Sequence, residues 1–244
     1  MTVLRSPTLT RAGFDHGFGM RLSTPVDLPG NVHILKQVHG ERIVVLTAGR
    51  RAPGAEHGEN PDLVVRDLPE EPFRFDEGDA LVTDIPEVPL GIRTADCLPI
   101  LVGDPSTGAV AAIHCGWRSL ALGLAAKGTR ALLKLTGSKP GGLVAALGPS
   151  IGPCCYEVGK DVQKTLCPGS GAEGPCQRRG NGLYLDLASG AKNQLLAVGI
   201  PPGSIERIPG CTSCDEDRFW SWRARRDGER MVSFIKARGR KIEN

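Results

Sequence analysis

The sequence contains few of the residues on which several classes of protein depend. Of its 244 residues only five are histidine and three are methionine, and aromatic residues make up 5%. No apolar run approaches the roughly 20 residues that a membrane-spanning helix needs. The N-terminal stretch MTVLRSPTLTRAGFDHGFGMR also lacks the apolar core and the small-residue cleavage site of a secretory signal peptide. We therefore expect a cytoplasmic enzyme without a membrane segment.

Cysteine, in contrast, is abundant, with eight residues in the chain. A chain of this length does not need disulfides to build a core, and nothing in it indicates secretion, so free thiols or metal ligands are expected. Cys154, Cys155, Cys167 and Cys176 lie in or beside stretches rich in glycine and proline. We interpret these four as incidental thiols.

Positive charge is concentrated near the C-terminus. The net charge is +3, yet residues 218–241 carry nine lysines and arginines against two acidic residues, together with Phe219, Trp220 and Trp222. Basic residues interleaved with aromatic ones can bind nucleic acid. A solvated basic end with its aromatic residues packed inward is the favoured interpretation. In a third interpretation, some of these arginines face a small anionic substrate.

The chain is organised as alternating short apolar runs and helical segments, which predicts a single α/β domain over residues 1–244 with layered sheets. Residues 49–78 and 167–182 are rich in glycine, proline and charge and are expected to be surface loops. Strands are predicted at 79–84, 88–94, 98–103, 109–114, 143–147, 204–208 and 231–236, and helices at 119–135, 156–166 and 186–198.

Three candidate metal ligands stand at the ends of apolar runs. Cys97 lies between two predicted strands, His114 ends the next strand, and His39 ends another run directly before Gly40. Residues at strand ends are the ones that an α/β fold can gather into a site. Two imidazoles and a thiolate suit a catalytic zinc ion, whose fourth position stays open. Because the spacings are long, a buried thiol with two hydrogen-bonded histidines is the alternative.

Other chemistries use some of the same residues. Cys97 and His114, oriented by Asp96, could form a nucleophilic pair without metal. The segments 39–41 and 211–214 match the H-x-E and C-x-x-C elements of zinc deaminases, but about 170 residues separate them and we regard the match as accidental. Copper is the least favoured option, since a His₂Cys copper site expects a weak axial ligand such as methionine, and the three methionines are remote in sequence.

A series of motifs, running from about His16 to the C-terminus, resembles the laccase-domain family of YfiH-like proteins. This family is described as purine nucleoside phosphorylases with adenosine deaminase activity. The motifs are KQVHGE (36–41), DALVTD (79–84), TADCLPILVGD (94–104), HCGWRS (114–119), LGPSIGPCCYEVG (147–159), CTS (211–213) and FWSWRARRDGERM (219–231).

The resemblance implies a fold, a cofactor and a reaction. The fold would be a layered α/β/β/α sandwich with mixed sheets, related to toxin-type cysteine deamidases. His39, Cys97 and His114 would bind one zinc ion. The substrates would be phosphate and purine nucleosides (adenosine, inosine, guanosine and methylthioadenosine), with deamination of adenosine as a second reaction. An older label for the family, polyphenol oxidase, would require copper.

Further roles are assigned to charged residues near the motifs. Asp96 is a candidate proton donor for the expulsion of ammonia, or alternatively an acceptor that orients a liganding histidine. Candidate phosphate ligands, through bidentate contacts, are Arg21, Arg93, Arg118 and Arg223.

The chain also departs from the family pattern, chiefly through a shortened segment between residues 21 and 36 and through Cys115 and Ser119. Two functions remain as alternatives: a metal-free Cys–His hydrolase or amidase acting on cell-wall peptide intermediates, and a nucleic-acid-binding module built on residues 218–241. The oligomeric state is not indicated by the sequence.

Overall fold

The computed structural model describes residues 3–23, 27–49, 62–69, 76–167 and 174–239. Parts of three predicted segments lie outside the described residues: 50–61 and 70–75 of the first loop, 168–173 of the second loop, and 240–241 of the basic tail.

Strands and helices alternate along the described chain. The strands are β1 Val3–Leu4, β2 His16–Gly19, β3 His33–Ile34, β4 Ile43–Thr47, β5 Leu63–Asp67, β6 Ala80–Thr83, β7 Pro89–Thr94, β8 Leu98–Gly103, β9 Val110–Cys115, β10 Val144–Leu147, β11 Cys176–Arg179, β12 Gly182–Leu185, β13 Ile205–Arg207 and β14 Met231–Lys236. The helices are α1 Pro7–Arg11, α2 Trp117–Ala121, α3 Leu124–Thr136, α4 Lys160–Leu166, α5 Leu187–Val198 and α6 Trp222–Arg225.

Two mixed sheets form the centre of the molecule. The larger sheet has seven strands in the order β13-β10-β8-β9-β6-β4-β5, and the smaller has five in the order β1-β2-β14-β7-β3. Each contains parallel and antiparallel neighbours: β4 is parallel to both β5 and β6, whereas β8 and β9 form an antiparallel hairpin. Strands β11 and β12 pair separately.

The seven-stranded sheet is buried on both faces. In its central strand β9, Ala111 and Ile113 belong to a hydrophobic cluster shared with α2, α3, α4 and α5. The alternate residues Val110 and Ala112 belong to a second cluster shared with strands of the five-stranded sheet. A strand covered on both sides must be apolar throughout, which explains the continuous apolar runs of the sequence. The predicted α/β fold with layered mixed sheets is confirmed, while the fourth, helical layer and the relation to toxin-type deamidases stay predictions.

Seven strands were predicted within one residue at each end, whereas two helices differ from the prediction. The expected helix 119–135 is two helices, because Gly123 adopts φ 77° and ends the first before the second begins. The expected helix 156–166 starts only at Lys160, since Glu157 pairs with Tyr184 in a β-bridge. The helix at 187–198 forms as predicted, with the Asp186 carboxylate accepting hydrogen bonds at its N-terminus.

The predictions for the two loops, and for two cysteines of the second loop, are wrong in part. Residues 63–67 of the first loop form β5, which is parallel to β4. Cys167 and Cys176 of the second loop form a disulfide, so they are not incidental thiols. Because β11 begins at Cys176 and turns the chain back, the two cysteines approach to a Cα–Cα distance of 6.1 Å. In the part of the chain that the structure describes, no helix is long and apolar enough to span a membrane.

Candidate metal centre

The site lies where the chain passes between the two sheets. The loop 95–97 leaves β7 of the smaller sheet and enters β8 of the larger one, and it carries Cys97. His39 lies on a second crossing, between β3 and β4. His114 lies in β9, where it pairs with Pro99 of the neighbouring strand β8, close to the end at which Cys97 enters β8. Two separate crossings and one central strand therefore deliver the three side chains to one place.

The predicted convergence of these three side chains is observed. One ligand atom each from His39, Cys97 and His114 lies within 4.8 Å of the other two. The imidazole rings of the two histidines are edge-to-face, with centroids 4.9 Å apart. A Cβ atom added to Gly116 would lie 3.1 Å from both the Cys97 Sγ and the His39 Cδ2. Residue 116 must therefore be small for the trio to meet.

A buried carboxylate that the sequence analysis missed holds the trio in place. Asp79 is fully buried directly before β6, and its Oδ1 accepts a hydrogen bond of 2.7 Å from His114 Nδ1. The same carboxylate accepts hydrogen bonds from the backbone N–H groups of Val38, His39 and Gly40, at 3.3, 3.0 and 2.7 Å. Asp79 thus orients one histidine ring and fixes the turn that carries the other. The sequence signal for this role was an acidic residue directly before a buried strand.

The electrostatics of the site favour a thiolate. Burial by itself would raise the pKa of Cys97, but the neighbouring His114 and His39 lower it to about 6. Burial would likewise lower the pKa of His114, whereas the Cys97 charge and the hydrogen bond to Asp79 raise it to about 9. Burial opposes the charge on Asp79 as well, yet hydrogen bonds from His114 and Gly40 hold its pKa below the ordinary value.

The three side chains fit a metal ion. With His114 Nδ1 bonded to Asp79, the Nε2 atom is the ring nitrogen left to face the other two residues. Two imidazole nitrogens and a thiolate form the donor set of a catalytic zinc site, in which the fourth position belongs to solvent or substrate. The same donors also occur in copper sites, so the donor set could hold a transition metal without selecting one particular metal.

The trio lines a cavity of about 1060 Å³ that is large enough for a nucleoside. Its wall carries the aromatic rings of Trp117, Tyr156 and Trp222. Burial and the nearby Cys97 raise the pKa of Tyr156 to about 12, so the phenol keeps its proton at neutral pH. The cavity wall thus combines aromatic residues, a hydroxyl donor and the three candidate ligands.

Three of the four predicted anion-binding arginines line this cavity, namely Arg93, Arg118 and Arg223. The structure does not bring Arg21 there: its guanidinium packs 4.1 Å from the ring centroid of Trp220 and donates a hydrogen bond to the Glu216 carbonyl. A different arginine, Arg230, lines the cavity instead. The sequence offered no signal to choose between them, since both lie near a motif.

Of the two roles predicted for Asp96, orienting a liganding histidine is taken by another carboxylate, while proton donation stays a prediction. Its Oδ1 accepts a hydrogen bond of 2.7 Å from Thr212 Oγ1, and its Oδ2 accepts one of 2.6 Å from the Arg223 backbone N–H. Asp79, not Asp96, accepts the hydrogen bond of the liganding His114. Asp96 lines the cavity and connects it to the C-terminal segment, with a backbone φ of 89°.

The basic C-terminal segment is folded against this site. Phe219 is fully buried, Trp222 and Arg223 line the cavity, and β14 is a central strand of the five-stranded sheet. This arrangement favours the interpretation in which arginines of the segment face a small anionic substrate. A nucleic-acid-binding module on this segment is correspondingly disfavoured.

A mixed α/β fold with a His₂Cys centre in an arginine-lined cavity defines a laccase-like class of proteins. Residues 20–238 match the family described as multi-copper polyphenol oxidoreductase laccase, and the chain belongs to this family. The resemblance inferred from the motifs is thereby confirmed.

Two named relatives and one solved structure show which members of the family this chain resembles. Purine nucleoside phosphorylase YlmD of Geobacillus stearothermophilus is 36% identical over 204 residues, which cover 82% of this chain and 70% of that protein. Adenosine deaminase RL5, from an unknown prokaryotic organism, is 30% identical over 191 residues, covering 77% and 68% respectively. The crystal structure of YlmD from Geobacillus stearothermophilus superimposes with a TM-score of 0.76 at 30% identity, covering 98% of this chain and 97% of that one.

Proposed function

We propose that this protein is a zinc-dependent purine nucleoside phosphorylase that cleaves adenosine, inosine, guanosine and methylthioadenosine with phosphate, and that it also deaminates adenosine. One observation carries the proposal: His39, Cys97 and His114 converge in a cavity whose wall also holds arginines and aromatic rings. The names of the relatives, one a phosphorylase and one a deaminase, support both reactions. We further propose that residues 1–244 act as one enzyme domain in the cytoplasm.

His39, Cys97 and His114 would hold the zinc ion, and Asp79 would keep His114 in the tautomer that presents Nε2. When bound, the ion would supply Lewis acidity at this end of the cavity. The chain's own groups do the remaining work. They would orient the nucleoside and place the phosphate.

The purine would bind against the aromatic part of the wall. Trp117, Tyr156 and Trp222 line the cavity, and stacking of a base on such rings is worth about 1–3 kcal/mol. The protonated hydroxyl of Tyr156 is a hydrogen-bond donor to a ring nitrogen or to the exocyclic oxygen of the base.

Phosphate would be placed by the arginines. The guanidinium of Arg118 packs over the Trp117 ring at 4.5 Å, and that of Arg223 over the Tyr156 ring at 5.0 Å. A planar guanidinium held against a ring face can turn its edge to phosphate for a bidentate contact; Arg223 already donates one hydrogen bond, from Nη1 to the Glu157 carbonyl at 3.0 Å. Arg93 is exposed to the cavity, and its backbone is fixed by two hydrogen bonds with Gln37. These cations would also offset the charge of attacking phosphate as the sugar becomes cation-like.

Asp96 would act as a positioning residue. Both of its oxygens accept hydrogen bonds from Thr212 and from the Arg223 backbone, so it fixes the start of α6 beside the cavity. The geometry supports this role better than proton donation to leaving ammonia, because both oxygens already hold hydrogen bonds within the protein.

The test is an assay for free purine base released from inosine, with and without inorganic phosphate, on protein of measured metal content. We expect phosphate-dependent release, one zinc per trio, and loss of both in Cys97→Ala. The matched control is Cys115→Ser, which replaces a buried free thiol outside the trio. Full activity of a zinc-free Cys97→Ala protein would refute the proposal. Copper in the fresh protein with oxidation of phenols would instead support the polyphenol oxidase alternative.

A second candidate is the metal-free Cys–His hydrolase acting on cell-wall peptide intermediates. The observation that favours it is the close approach of Cys97 and His114, because in the absence of metal their proximity lowers the pKa of the thiol and raises that of the imidazole. Removing the metal with a strong chelator separates the two functions. A thiol hydrolase keeps its rate after chelation and loses it with iodoacetamide, whereas the phosphorylase loses its rate on chelation and regains it with zinc.

A further inference from the structure

A second group of metal-ligating side chains lies outside the site described above. Cys154 and Cys155 are in the loop between β10 and α4, and Cys211 and Cys214 are in the loop after β13. The four sulfur atoms all lie within 4.8 Å of one another. The Cys214 Sγ is 3.4 Å from the Cys154 Sγ and 3.2 Å from the Cys155 Sγ. All four cysteines are free thiols.

Two tight turns present these thiols to each other. In the first, Cys155 N–H and Tyr156 N–H both donate to the Gly152 carbonyl, at 3.0 and 2.9 Å. In the second, Cys214 N–H donates to the Cys211 carbonyl at 3.2 Å, which closes the C-x-x-C turn. The two loops are joined by a parallel β-bridge between Ser150 and Cys211. The cluster is therefore built on paired backbone and does not depend on side-chain rotamers alone.

The backbone also favours the thiolate form of one member. The Gly152 N–H donates a hydrogen bond of 3.2 Å to the Cys211 Sγ. An N–H group aimed at sulfur stabilises a negative charge on it, and such contacts surround the thiolates of metal sites. A C-x-x-C turn of this kind is half of a structural zinc site, and the adjacent pair at 154–155 supplies two further sulfurs.

We propose that Cys154, Cys155, Cys211 and Cys214 bind one structural zinc ion, separate from the ion of the His₂Cys centre. Zn–S bonds of about 2.3 Å in a tetrahedron place sulfurs about 3.8 Å apart, which lies within the 4.8 Å span of the cluster. On binding, the four thiols release their protons to solvent and the metal keeps its oxidation state. Four protein ligands leave no open position, so the ion has no catalytic role.

The ion would hold one wall of the nucleoside cavity. Ile151, three residues before Cys154, lines the cavity and donates its N–H to the Asp96 carbonyl at 2.9 Å. Thr212, next to Cys211, donates its hydroxyl to the Asp96 carboxylate. Tyr156, next to Cys155, contributes its ring to the wall. A metal that joins the two loops therefore fixes residues on both sides of Asp96.

The experiment measures zinc per chain in the full-length protein purified from zinc-supplemented cells. We expect two equivalents in the wild type, one in Cys97→Ala and one in the double variant C211S/C214S. Cys115→Ser is the matched control and keeps two. The X-ray absorption spectrum of zinc-loaded Cys97→Ala should show sulfur neighbours alone at about 2.3 Å. If the His₂Cys centre binds no zinc, the wild type and Cys97→Ala would each hold one zinc and C211S/C214S would hold none. Failure of the catalytic centre is therefore distinguishable from failure of the second site.

Several results would overturn the second site. These are unchanged zinc content in C211S/C214S, nitrogen or oxygen neighbours in the spectrum of Cys97→Ala, iron in place of zinc, or a fresh protein whose mass shows disulfides among these cysteines. If the double variant does not fold, cobalt loading of Cys97→Ala decides the matter. Intense thiolate-to-cobalt absorption is the expected result, and its absence refutes the proposal.

Discussion

Replacing Asp79 with asparagine tests the argument that one buried carboxylate organises the centre. Its Oδ1 accepts hydrogen bonds from His39 N–H and His114 Nδ1, and its Oδ2 accepts them from Val38 N–H and Gly40 N–H. Asparagine has the same shape but a single acceptor oxygen. Whichever way the amide is turned, its NH₂ group faces two N–H donors that lose their acceptor.

The magnitude follows from these lost bonds. A buried donor without a partner costs about 1–3 kcal/mol, so two such donors predict about 2–6 kcal/mol of lost unfolding free energy. The lower part of this range applies, because the turn at residues 38–40 is partly exposed and can reach water. Residues that support a metal ligand typically contribute 10–100-fold in metal affinity. Asp79→Asn should therefore bind zinc about 10–100-fold more weakly.

The assay is competition with a chromophoric chelator for the metal of Cys211→Ser/Cys214→Ser protein, which isolates the His₂Cys centre, together with urea denaturation. Asp104→Asn is the matched control. Asp104 is also buried and accepts hydrogen bonds from Ser106 and Ser138. The control should lose stability and keep its zinc affinity. Wild-type zinc affinity in Asp79→Asn would refute the reasoning.

Three further predictions concern space, phosphate and pH. Gly116→Ala places a Cβ 3.1 Å from two of the candidate ligands and should weaken zinc binding about tenfold or more in the same competition assay. Arg118→Ala should raise KM for phosphate about tenfold or more through the lost bidentate contact, whereas Arg21→Ala, outside the cavity, should leave it unchanged in steady-state kinetics. Burial would raise the pKa of Glu206, but hydrogen bonds from Ser6 and the Thr8 N–H hold it below its usual value. A carboxyl with a lowered pKa in the folded state stabilises the protein above its unfolded pKa of about 4.3 and ceases to do so as the pH falls. Glu206→Gln should thus be less stable than the wild type at pH 7 and equally stable near pH 3, by thermal denaturation.

Each of these predictions has a contrary result. Unchanged zinc affinity in Gly116→Ala would mean that the trio does not close around an ion at this distance. Equal phosphate KM values in Arg118→Ala and the wild type would remove this arginine from the phosphate site. A stability difference for Glu206→Gln that is the same at pH 3 and pH 7 would show that its charge is not what matters.

Residue types at strand ends singled out the central trio as candidate ligands, and the family resemblance then assigned the three residues to one metal site. Apolar runs on both faces marked buried strands, and strand ends meet at sheet edges, so His39, Cys97 and His114 could be grouped without coordinates. The same reasoning located seven of the fourteen strands in the described chain, and β8 and β14 have the predicted bounds. The α/β class followed from this alternation. The positions of strands and the residue types at their ends depend on neighbouring residues in the chain, so the sequence pattern can predict them.

Contacts between distant loops were decided only by the tertiary structure. The pairing of β6 with β9 places Asp79 beside His114, and no spacing in the sequence encodes that register. The bridge between Ser150 and Cys211 turns two pairs of cysteines, separated by more than fifty residues, into one cluster. The choice of Arg230 over Arg21 likewise depends on how the C-terminal segment folds back. The sequence alone determined which residues can do chemistry at strand ends. The strand order and the crossings between the two sheets decided which of them meet, because those long-range pairings depend on the whole chain at once.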